Sequence, residues 1–92
     1  MKIGNREFKA KINNRVIFDI EEVFGNKNIG IILAEIQTLT TKDMAMLIHQ
    51  TIKEEISFDE FADEIQLNQY TEAATEVGLA ISKAFGLDSK KK

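Results

Sequence analysis

Between residues 13 and 86 the chain carries five short apolar stripes. In each, the apolar residues recur every three or four positions, and the first four follow a side chain able to cap a helix. No proline interrupts any of them. Val16, Ile17, Ile20, Val23 and Phe24 form the first stripe, behind Asn13-Asn14 as N-cap and ahead of Gly25, which suits a left-handed C-cap. Asn28 opens the second, made of Ile29, Ile32, Leu33 and Ile36. Thr40 and Asp43, in capping-box spacing, precede Met44, Leu47, Ile48, Thr51 and Ile52. Ser57 and Glu60 repeat the box before Phe58, Phe61, Ala62 and Ile65. After a break at 68–70, Tyr70, Ala73, Ala74, Val77, Ile81, Ala84 and Phe85 make the longest stripe, which Gly86 can end. Helices shorter than about 12–15 residues are marginal alone in water, so these segments must pack on one another.

The first twelve residues follow another period. Ile3-Gly4-Asn5-Arg6 has Gly at the first central position of a tight turn, and Phe8, Ala10 and Ile12 then alternate with Lys9 and Lys11. That alternation predicts a strand with one buried face, its start paired with residues 1–3. The expected fold is mostly α (α+β): an N-terminal β-hairpin followed by a compact bundle of about five short helices. It forms one domain over 1–88, with a flexible basic tail at 89–92. A chain of 92 residues buries only about two thirds of its unfolded surface, so a partner can supply part of its stability.

Charge and composition exclude several functions. The formal charge is −3, but residues 1–15 carry +4, residues 16–88 carry −10 and the tail carries +3. An acidic body argues against nucleic-acid binding, which needs a concentrated basic face. The basic N-terminal patch reads as an ordinary solvated strand face, with an acidic partner as the alternative. Without cysteine there is no disulfide scaffold, thiolate cluster or cysteine nucleophile. The longest wholly apolar run, 29–34, is about a third of a membrane span. The charged N-terminus does not resemble a secretory signal. A soluble, cytoplasmic protein without membrane contact is expected.

The residues offer little chemistry. His49 is the only histidine and has neither a nucleophile nor a ligand set around it, so a structural role is expected. Ser57 fits a cap better than a nucleophile, and no Gly-rich phosphate loop is present. Residues 49–60 imitate an EF-hand only at Glu60, because Thr51, Lys53 and Glu54 occupy positions that need oxygen ligands and glycine. The acidic run Glu54, Glu55, Asp59, Glu60, Asp63 and Glu64 reads as a solvated face, with a weak, unspecific divalent-ion contact as the alternative. An acyl-carrier reading fails because Leu87-Asp88-Ser89 has no helix after it. No enzyme activity, metal or cofactor is expected.

Apolar surplus points instead to a partner surface. Ile17 and Phe18 widen the first stripe, Ile31 and Ala34 lie off the second, and Met44 and Met46 lie on different faces of the third. These six residues are the candidate partner-binding set, suited to an amphipathic helix laid in an adaptable groove. The opposing reading is that the hairpin covers them.

Met-Lys-Ile-Gly-Asn-Arg-Glu-Phe-Lys-Ala-Lys-Ile, then a helix from Val16 to Phe24 closed by Gly25, resembles the opening of the tail assembly chaperones of long-tailed phages and prophages. Gly4-Asn5 stands where that family more often has Asn-Gly, which leaves the turn type open. The resemblance extends through the helical remainder and its acidic stretch at 57–64. It implies a non-enzymatic protein that binds and solubilises the tape-measure protein during tail tube assembly and can recruit the tail tube protein. Such a protein would act in the cytoplasm of the bacterial host and be absent from the mature virion. The resemblance also implies a longer frameshifted form, with which Lys90-Lys91-Lys92 is compatible as the product of an A-rich slippery site. Two other classes fit the residues: a structural tail or head-completion subunit, and a small helical adaptor or regulatory domain. A structural subunit predicts stable homo-oligomers in isolation, whereas a free chaperone is expected to be monomeric or weakly self-associating.

Overall fold

A computed structural model describes residues 1–86. The expected basic tail at 89–92, and the acyl-carrier imitation at 87–89, lie outside the described residues. The chain runs β1 (Lys2–Ile3), β2 (Arg6–Glu7), α1 (Asn14–Val23), α2 (Ile29–Ala34), a 3₁₀ turn (Ile36–Thr38), α3 (Thr41–Gln50), α4 (Phe58–Glu64), a second 3₁₀ turn (Leu67–Gln69) and α5 (Tyr70–Ala84). The architecture is therefore mostly helical, with a two-stranded antiparallel N-terminal hairpin and five α-helices in a compact globule.

The helix starts are fixed by local chemistry. The side chains of Asn13, Asn28, Thr40 and Ser57 accept from the backbone N–H groups of Val16, Gly30, Asp43 and Glu60, at 2.7–3.1 Å. Each satisfies one N–H that the helix leaves without an internal partner. At the end of α1, Gly25 (φ +72°) and Asn26 (φ +63°) are both left-handed. The Gly25 N–H bonds to Glu22 O at 3.0 Å and the Asn26 N–H to Glu21 O at 2.8 Å, the paired pattern of a Schellman stop.

Two expectations need correction. The hairpin ladder contains only Lys2↔Glu7 and Ile3↔Arg6. Met1 and Phe8 extend it by backbone bonds, but residues 9–12 are not a strand. The alternation still sets burial, with Phe8 inside and Ala10 and Ile12 half-buried. Among the described residues no strand lies alongside; the Lys11 N–H donates to Thr51 O, just past α3, at 3.0 Å. The third stripe likewise stops helically at Gln50, although Thr51 and Ile52 are buried as expected. Thr51 Oγ1 donates to Ile48 O at 2.8 Å, and the chain continues in 3₁₀-like bonds at Thr51, Ile52 and Glu55.

α3 is the central packing element, against α5, α1 and α4. Ile3, Ile20, Ile32, Leu47, Ile48, Ile52, Phe61, Val77 and Ile81 are almost wholly buried around it. His49 belongs to this core. Its Nε2 donates to Ile56 O at 2.7 Å, and its ring meets Phe58 edge-on at 5.4 Å and Phe61 at 5.5 Å. That bond joins the end of α3 to the approach to α4, which accounts for the histidine structurally.

Candidate functional site

Of the six residues picked out by the sequence, the helices present three to solvent. Phe18 on α1 is 63% exposed and Ile31 on α2 is 50% exposed; Ala34, at the end of α2, is exposed too. α1 and α2 pack on each other, and Glu21 Oε2 fixes their junction by accepting from the Ile29 N–H at 2.7 Å. Met44 and Met46 on α3 are half-buried, Met44 against the core. Ile17 requires correction: it is buried with Val16 and Ile20 in the core, so it adds nothing to an exposed face. The stripe on α1 is wide enough to bury Ile17 because α2 and α3 both pack on that helix.

The hairpin does not cover this surface. It packs instead against α4 and the segment that joins α4 to α5. Gln69 receives the Gly4 N–H on Oε1 at 2.8 Å and donates from Nε2 to Gly4 O at 3.1 Å. The same Oε1 accepts from the Gln66 N–H at 2.9 Å, closing a capping box on the second 3₁₀ turn. Gly4 has φ +61°, and a β-carbon there would stand 2.9 Å from Glu64 O. Positive φ at the first central residue alone is the type II′ pattern, which answers the turn type left open by Gly4-Asn5.

Charge is also used inside the chain. Arg6 reaches Glu60 and Glu64, both at 3.2 Å, and its guanidinium lies 5.2 Å from the Phe8 ring centroid. Lys11 stands 3.8 Å from Glu54. The acidic run of 54–64 is thus partly met by the chain's own basic N-terminal segment. The Met1 ammonium lies between Glu7 at 2.9 Å and Glu76 at 3.1 Å. Burial pushes this amine down, but the hydrogen bonds and charges of the two carboxylates outweigh burial and hold it above its ordinary value of 8.0.

Sequence reasoning missed a second exposed apolar surface, on α5. Leu79 is 65% exposed. It stands between two depressions, one lined by Leu33, Ile36, Ala74 and Gly78, the other by Lys9, Ala10, Glu76, Ala80 and Lys83. A β-carbon on Gly78 would meet Ile36 Cδ1 at 3.6 Å, so the small residue keeps the first depression open. The available signal was an isolated leucine between Val77 and Ile81, off the buried stripe of its helix.

Among the described residues no group of three or more His, Cys, Asp or Glu side chains is arranged to hold a metal ion, and no helix is long and apolar enough to cross a membrane. Comparison with protein-family models, curated proteins and solved structures gives no match.

Proposed function

We propose that the chain is a non-enzymatic tail assembly chaperone that binds and solubilises the tape-measure protein while the tail tube assembles. The observation that carries this reading is the exposure of Phe18 and Ile31 on the packed pair α1 and α2, with exposed Ala34 three residues after Ile31 on α2. Large apolar side chains held outward on a rigid pair of helices suit an amphipathic helix of a long, otherwise insoluble partner. Met44 and Met46 offer adaptable, half-buried sulfur side chains on the neighbouring α3. The reading places the protein in the host cytoplasm, with the tape-measure protein as its partner and the tail tube protein as a further one.

Co-expression with the tape-measure gene tests it. The long protein is expected to become soluble with the wild-type chain and to remain insoluble with the double variant Phe18→Ser, Ile31→Ser. Equal solubility with and without the wild-type chain would overturn the proposal.

A further inference from the structure

We infer that the outward face of α5 is a self-association surface, on which two copies pair antiparallel about Leu79. Helical spacing puts Glu72 and Leu79 along the outward line of α5, with Glu76 and Lys83 on one flank and Thr75 and Ser82 on the other. A two-fold axis perpendicular to the helix at Leu79 keeps each flank on its own side and reverses its direction. Lys83 of one copy then meets Glu76 of the second, twice over, while Thr75 meets Ser82 on the opposite flank. The two Leu79 side chains meet at the axis, and each has a depression floored by Gly78 beside it. A parallel two-fold pairing would instead exchange the flanks, setting Glu76 and Lys83 of one copy against Thr75 and Ser82 of the second and forming no ion pair. Charge complementarity therefore selects a second copy in the antiparallel sense.

The Glu76 side chain is 41% exposed while it holds the Met1 ammonium, and a carboxylate has lone pairs for a second cation. A stable interface buries about 800 Å² per partner, more than one face of a 15-residue helix supplies. The dimer is therefore weak and concentration-dependent.

Because the chain has no cysteine, single-cysteine variants test the register directly. Packed helix axes lie about 8–10 Å apart, which brings facing Cα atoms at the axis within disulfide reach. In Leu79→Cys, mild oxidation is expected to give disulfide dimer about tenfold faster than in the control Phe18→Cys, because association raises the effective thiol concentration. Glu72→Cys is expected to match the control, since its two copies lie about 21 Å apart along an antiparallel pair. Leu79→Cys no faster than the control, or Glu72→Cys as fast as Leu79→Cys, would overturn the pairing. Sedimentation equilibrium adds a charge test: Lys83→Glu and Glu76→Lys each weaken self-association, and an equimolar mixture of the two restores it. A mixture no tighter than its components would overturn the register.

Discussion

The hairpin corner and the α1–α2 face are built by opposite means. At the corner, Gly4, Arg6 and Gln69 are held by directional bonds to groups at least 54 residues away in sequence. On the α1–α2 face, the bonds of Asn13, Glu21 and Asn28 span eight residues or fewer, and Phe18 and Ile31 project beyond them into solvent. The corner spends its polar groups on closing the fold; the other face leaves apolar area for something else. Substitutions at the corner are therefore expected to be read in stability, and those on the α1–α2 face in binding.

Gly4→Ala should break the corner most. Left-handed backbone costs a non-glycine residue roughly 1–2 kcal/mol, and the new methyl must also clear Glu64 O at 2.9 Å. Gly25→Ala shares the positive φ but has nothing within 4 Å of its β-carbon, so it carries the backbone cost alone. Chemical denaturation should rank Gly4→Ala as the more damaging. Equal losses would show that the corner yields to the methyl.

Gln69→Ala should follow, at about 1–3 kcal/mol, because it leaves both polar groups of Gly4 and the Gln66 N–H without their protein partner. Its melting temperature should fall while the mostly helical circular dichroism signal persists.

What was legible in the sequence follows the same division. The caps at Asn13, Asn28, Thr40 and Ser57 and the stop at Gly25 act over two to five residues, so spacing alone exposes them. The Gln69–Gly4 clamp spans 65 residues and leaves no local signature. Phe8, Ala10 and Ile12 carry their burial in their alternation, but whether they become a strand depends on a neighbour that only the tertiary fold supplies. Ile17 was misplaced for a related reason: the width of a buried stripe is set by how many helices pack on it. The exposure of Phe18, Ile31 and Ala34 is legible because they lie off their stripes; Leu79 lies off its stripe equally, but its small neighbours hide the signal.

The Met1 ammonium should give a smaller, pH-dependent effect. Its raised folded value means that the folded state holds this proton more tightly than the unfolded one. The contribution is complete below the ordinary value of 8.0 and declines as pH rises through the folded value. Melting temperature should therefore drop above pH 8.0, and less so in Glu76→Gln, which removes one of the two carboxylates. A decline unchanged by Glu76→Gln would assign it to another group.

Phe18→Ser should change stability least, within about 0.5 kcal/mol, because an exposed side chain loses little packing on truncation. Under the proposed function its effect belongs to association. Removing an aromatic anchor from the centre of an interface costs about 2 kcal/mol or more, a dissociation constant raised roughly thirtyfold. Titration of a tape-measure fragment should show that loss while the melting temperature holds. A variant that melts early and still binds normally would reverse the division between the two regions, making Phe18 a structural residue and moving the binding surface elsewhere on the chain.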